Sequence, residues 1–192
     1  RSASCFNLRF SRSGFFCSNA MKKNKEAIFK TIIYADIFDY PLTSEELHRY
    51  LIKTPSRRHS GDPAVAGDFK IETDGEYFFL KNRKKIVELR KKREKWSKEK
   101  LKIAQKTARW LSFIPWIRMV GVTGSLAMNN SDRNDDIDFL IVSRTHRLWL
   151  TRLLTTMIIE FLGKRRHPLD KENRDKICLN MYLDDAHLAV PK

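Results

Sequence analysis

Cysteine is scarce, with only Cys5, Cys17 and Cys178 in 192 residues. No two of them show metal-ligand spacing, and three cannot build a disulfide framework. A small disulfide-stapled scaffold is excluded, and a reducing, cytoplasmic setting fits. Long apolar runs are missing as well. The best candidate, Leu148 to Leu162, is interrupted by Arg152 and Glu160. It reads as a buried or half-buried helix rather than a membrane span, which needs about 18 or more uninterrupted apolar residues. No internal repeat is evident. Acidic residues are outnumbered, 23 against 38 Lys and Arg, so the formal charge is +15. Residues 1–20 hold no acid at all. Their composition resembles a transit peptide, yet Met21 followed by Lys-Lys-Asn-Lys-Glu looks like a natural start. The expectation is a disordered upstream extension over 1–20.

What remains is enough for a packed, water-soluble core: 42% hydrophobic residues, 11% aromatic ones and 32% charged ones, with a mean hydropathy of −0.50. The positive excess is concentrated. Residues 81–106 carry thirteen Lys or Arg against three Glu. Such a segment attracts polyanions weakly and without sequence preference, nucleic acid above all. A solvated helix face accounts for it equally well.

Local signals divide the chain. Ile28, Phe29, Ile32, Ile33 and Ile37 form one helical stripe over 24–39, closed by Pro41. Thr43-Ser44-Glu45-Glu46 is a capping box for a second helix carrying Leu47, Tyr50 and Leu51. Residues 54–67 read as a loop, with a short helix opening at Asp62-Pro63. Asp74-Gly75 between two β-prone runs predicts a hairpin. Two helices, a weak third element and a hairpin over 21–81 resemble a winged helix in topology. A long basic helix follows, about 82–112, with 82–114 as a linking segment. Its stripe runs Ile86, Leu89, Trp96, Ile103 or Ala104, Ala108 and Leu111, completed by the aliphatic stems of Arg93 and Lys100. Trp110, Trp116 and Trp149 read as core residues, and Cys178 as a small buried one. His146, His167, His187 and the basic clusters at 57–59 and 165–167 read as solvated or structural. The fold class is α+β, with a C-terminal region 115–192 built from strands 117–123, 137–142 and 177–183 and helices 125–129 and 146–162.

The most informative stretch is 121–142. A short apolar run ends in a turn at Gly124-Ser125. A polar loop then leads to Asp136-Ile137-Asp138, which opens a second apolar run. Carboxylates at i and i+2 of a strand share one face. Side by side above a buried face they repel, unless a cation lies between them. Mg²⁺, which takes one or two carboxylates plus substrate phosphates, suits such a pair. The Gly-Ser turn before a helix gives close backbone approach and N–H groups for phosphate.

This constellation resembles the nucleotidyltransferase superfamily, the fold of DNA polymerase beta, kanamycin nucleotidyltransferase and the minimal nucleotidyltransferases. The resemblance covers residues 115–185. It implies a small mixed sheet flanked by helices, and metal-dependent transfer of a nucleotidyl group from an NTP to a hydroxyl. Residue by residue, Asp136 and Asp138 match the ligands of Mg²⁺ (or Mn²⁺), and Gly124 and Ser125 match the phosphate cradle. The family's third carboxylate belongs on the next strand, Ile177-Cys178-Leu179-Asn180-Met181-Tyr182-Leu183-Asp184. Strict alternation puts Cys178, Asn180, Tyr182 and Asp184 on one face. Asn180 then occupies the expected acid position, and Asp184 is the nearest carboxylate on that face. Many family members continue after this strand, so 115–192 reads as a C-terminally truncated domain. An intact Gly-Ser and Asp-x-Asp favour an enzyme. Asn180 favours a nucleic-acid- or nucleotide-binding module with a degenerate, inactive domain.

Overall fold

A computed structural model describes residues 13–52, 70–170 and 172–188. The chain divides into two compact units, residues 1–88 and 89–192. The architecture is α+β, with two three-stranded sheets. The extension expected over 1–20 lies outside the described residues up to position 12, and the backbone is helical from Ser13 on.

The first unit contains α1 (Ser13–Asp36), β1 (Leu42–Thr43), α2 (Ser44–Arg49), β2 (Ile71–Thr73) and β3 (Tyr77–Leu80). The capping box forms as its sequence requires. The Thr43 hydroxyl accepts from the Glu46 N–H, and the Glu46 carboxylate accepts from the Thr43 N–H. The Asp74-Gly75 hairpin forms too. Asp74 Oδ1 accepts from the N–H groups of Glu76 and Tyr77, and Gly75 takes φ +98°. The two-residue strand β1 was not legible in sequence. It pairs with β3, giving the antiparallel order β1-β3-β2. The core joins Ile32, Ala35, Tyr40, Leu42, Leu47 and Ile71. Ile37, expected on the buried stripe, is exposed, because α1 ends at Asp36 and the chain turns there before Pro41. The short helix expected near Asp62 lies outside the described residues.

The long helix α3 (Lys85–Leu111) buries Ile86, Lys100, Ala104 and Leu111 of the expected row, while Leu89, Arg93, Trp96 and Ala108 are half-buried. Its buried positions are Ile86, Val87, Arg90, Ser97, Lys100, Ala104, Thr107 and Leu111. The three- and four-residue spacing is right, but the middle of the row is polar, and Trp96 lies half-buried beside it. Opposite, Lys91, Lys95, Lys98, Lys102 and Lys106 are all exposed. Their spacing puts them on a single ridge.

The second unit carries β4 (Ile117–Val122), α4 (Gly124–Ala127), β5 (Ile137–Ser143), α5 (Leu148–Phe161) and β6 (Ile177–Asp184). β5 is central, antiparallel to β4 and parallel to β6. Ile137, Phe139 and Ile141 alternate along β5 and are fully buried against Ala104, Leu111, Leu126, Ile159 and Ile177. Alternation turns Asp138 to the other face. Helix α5 is half-buried in an unexpected sense. Thr151, Thr155 and Ile159 face inward, while Trp149, Leu153, Met157 and Phe161 are exposed. The threonine hydroxyls are tolerated inside because they bond the carbonyls four residues back. Trp110 is exposed as well, so of Trp110, Trp116 and Trp149, the three expected in the core, Trp116 alone is half-buried. Among the described residues no helix is long and apolar enough to cross a membrane.

Candidate metal centre

The site is assembled at the entry to the central strand. Asp136 lies one residue before β5 and Asp138 one residue inside it, so both carboxylates emerge on the face away from the core. The parallel register sets Asp138 beside Cys178 of β6. Asp136, Asp138 and Cys178 each present a donor atom, and these atoms lie within 4.8 Å of one another. The Cys178 thiol and the Asp138 carboxylate lie within 4.8 Å of each other.

Charge is costly here. Burial first, and then the Asp136 carboxylate, raise Asp138 above the ordinary carboxylate range. Burial, followed by the Asp136 and Asp138 charges, pushes the Cys178 thiol up. A cation relieves both. One protein cation already leans on the site: Arg166 Nη1 donates to Asp136 Oδ2 at 2.6 Å and lies 4.0 Å from Cys178 Sγ. Arg166 is held there because the segment after α5 runs beside β6, with its N–H donating to the Ile177 carbonyl.

Gly124 closes the site from the side of α4. It takes φ +67°, and a Cβ there would lie 2.6 Å from Asp138 Oδ2. Glycine suits the position twice: it takes the left-handed backbone without strain and leaves Asp138 in its present rotamer. The neighbouring Thr123 N–H donates to the Asp138 carbonyl at 3.0 Å. Ser125 is exposed, and its hydroxyl donates to Asp135 Oδ2 at 3.1 Å. Asp135 also accepts from the Asp132 N–H at 2.8 Å. It lies outside the strand and serves the loop, not the cluster.

Lys100 anchors this loop from below. Its side chain is 2% exposed. The ammonium donates to the Asp135 carbonyl at 2.5 Å and to Asp175 Oδ1 at 3.3 Å. Two loops distant in sequence, one before β5 and one before β6, share a single buried cation. Helical periodicity accounts only for the aliphatic stem of Lys100. A lysine interrupting an otherwise buried row was the available signal.

Asp184 is not in the cluster. It pairs in register with Ser143, five residues along β5 from Asp138, or roughly 16 Å at the usual rise per residue. Its carboxylate instead bonds His187 and the Ala186 N–H. Asn180 has no partner in the strand register beside the pair. The register shifts between Phe139↔Leu179 and Leu140↔Met181, so Asn180 is an extra, unpaired residue and is exposed. This bulge breaks the alternation on which the expected face rested. Cys178, expected to be a buried filler, holds the position beside Asp138. Arg166, expected to be solvated, meets Asp136.

The donor set fits a divalent cation. Two carboxylates supply hard oxygen ligands, the thiol adds a soft one, and Gly124 leaves the Asp138 carboxylate unobstructed. No protein-family model, curated protein or solved structure matches this chain.

Proposed function

We propose that the chain is a metal-dependent nucleotidyltransferase, moving a nucleotidyl group from an NTP to a hydroxyl acceptor. The observation that carries this reading is the packing of Asp138, paired with Asp136, against a glycine that leaves no room for a Cβ. The order β4, α4, β5, α5, β6, antiparallel and then parallel, supports the mixed sheet that the superfamily resemblance implies.

Asp136 and Asp138 would hold the cation, Mg²⁺ or Mn²⁺ on the family pattern. When bound, it neutralises phosphate charge and polarises the phosphoryl group under attack. Gly124 and Ser125 open α4, so their N–H groups have no intrahelical acceptor and are available to phosphate oxygens. Arg166 is exposed at the rim and suits a polyphosphate, which it can grip in place of Asp136. Lys100 and Asp135 keep the loop before Asp136 in place. Among the described residues no third carboxylate joins the pair, so this cluster offers no strong base for the acceptor hydroxyl, and turnover should be slow. A cytoplasmic setting keeps Cys178 a thiol.

The same lack favours a second reading, a module that binds nucleotide without turning it over. Two helices and the β2–β3 hairpin support a winged-helix-like role for the first unit. The lysine ridge of α3 supports weak, non-specific contact with nucleic acid.

Labelled NTPs with Mg²⁺ or Mn²⁺ test both readings, scored for self-labelling and pyrophosphate release. Release by the wild type that is lost in Asp138→Asn supports the enzyme. Nucleotide binding without release, also lost in Asp138→Asn, supports the module. Equal metal–nucleotide binding by the wild type and the double Asp136→Asn, Asp138→Asn variant removes both.

A further inference from the structure

We propose that Cys178 is the third metal ligand of this site, and that it makes the site select a thiophilic divalent cation of the Zn²⁺ class over Mg²⁺. The inference rests on the metal-site reading above and goes beyond it in naming the ligand and the ion.

Three observations carry it. The first is register. Asp138 and Cys178 are direct partners on adjacent parallel strands, so their side chains leave the sheet together, about 4.8 Å apart at the backbone. The second is convergence. Donor atoms of Asp136, Asp138 and Cys178 lie within 4.8 Å of one another. A tetrahedral cation, about 2.0–2.3 Å from each donor, brings such atoms to roughly 3.5 Å apart, which modest side-chain rotations supply. The third is composition. The carboxylate nearest in sequence on β6, Asp184, is committed to His187 at the far end of the strand. Asn180 stands out on the bulge. Cys178 is therefore the donor that β6 brings to the pair.

Ligand chemistry then decides the ion. Mg²⁺ demands oxygen ligands in near-ideal octahedral geometry and gains little from sulfur. Thiolate selects Zn²⁺ and its softer relatives. Two carboxylate oxygens and one sulfur leave a fourth position open, as in catalytic zinc sites with three protein ligands. On binding, the sulfur–metal bond replaces the S–H bond and the proton passes to water. The metal keeps its oxidation state. Arg166 gives up its bond to Asp136 as the ion enters.

The test uses Cd²⁺ alone, without nucleotide, on the full chain carrying Cys5→Ser and Cys17→Ser. Titration should raise a thiolate-to-metal charge-transfer band in the ultraviolet. Adding Cys178→Ser should abolish the band and weaken Cd²⁺ and Zn²⁺ binding by about tenfold or more, the scale on which site residues govern metal affinity. Mg²⁺ affinity, read by competition against Mn²⁺, should change far less. Cys178→Asp should lose the band and gain Mg²⁺ affinity, which shows that a folded site remains. A band that survives Cys178→Ser, or equal weakening of Cd²⁺ and Mg²⁺, overturns the proposal. Its failure is separable from that of the enzyme reading. A Cys178-dependent band with no pyrophosphate release sinks the enzyme and keeps the ligand. Full Mg²⁺-dependent release by Cys178→Ser with no band in the parent does the reverse.

Discussion

Gly124 and Asp138 are in contact: the position a Cβ would occupy on Gly124 is 2.6 Å from Asp138 Oδ2. The turn after β4 and the carboxylate on β5 are thereby made for each other.

Gly124→Ala separates function from folding. The methyl group meets the tip of a side chain, not backbone, so Asp138 rotates away. The remaining cost is the left-handed φ, about 1–2 kcal/mol. The variant should fold, with a modestly lower denaturation midpoint and a lost or severely weakened metal–nucleotide affinity by calorimetry. Wild-type affinity in a folded Gly124→Ala protein would show that the contact does not shape the site.

Asp138→Asn should stabilise the metal-free protein at neutral pH. Burial raises Asp138, so its ionised form is disfavoured in the folded state. That cost grows as pH rises through the ordinary carboxylate value and is complete above the raised one. Asn removes the charge. Thermal unfolding at pH 7 in chelator should show a higher midpoint than wild type, alongside loss of metal binding. A lower midpoint would mean that the favourable surroundings of the ionised carboxylate, Cys178 and Arg166, outweigh burial.

Lys100→Met keeps the stem and removes the ammonium. The Asp135 carbonyl loses a charged partner, worth about 1.5–3 kcal/mol in such bonds. Hydrogen exchange should accelerate in residues 131–136 and 172–176 together, because one cation holds both loops. Acceleration in only one of them would contradict the shared anchor.

Asp185 ties the end of β6 to the turn that follows β5. Its Oδ1 accepts from the Thr145 N–H at 2.8 Å and the Thr145 hydroxyl at 2.6 Å. The Thr145 hydroxyl, then its N–H, lower the acid below its ordinary value. The stabilisation is therefore present at neutral pH and fades as pH falls below about 4. Asp185→Asn should lower the thermal midpoint at pH 7, and the gap to wild type should close in acid. A gap of constant size across that range would assign the effect to packing.

The α3 ridge of Lys91, Lys95, Lys98, Lys102 and Lys106 should bind single-stranded RNA or DNA weakly at about 50 mM salt and release it by about 200 mM. Changing Lys95, Lys98 and Lys102 to Gln should abolish binding without altering the fold. Retained binding would place the contact elsewhere.

Local chemistry settled much of this protein in advance. The Thr43 capping box, the Asp74-Gly75 hairpin, the strand bounds around Gly124-Ser125 and Asp136-Ile137-Asp138, and the α+β class all follow from signals a few residues long. Such signals depend on backbone preferences that the neighbouring side chains impose. What stands beside Asp138 follows from none of them. Strict alternation along β6 puts Cys178, Asn180, Tyr182 and Asp184 on one face, with the expected acid position at Asn180. A bulge at Asn180 resets the faces, and the parallel register brings Cys178 to the pair. Arg166 and Lys100 likewise gain their roles from segments that meet only in the fold. Register and bulges answer to packing between strands far apart in sequence, so only the tertiary structure decided which donors surround Asp136 and Asp138.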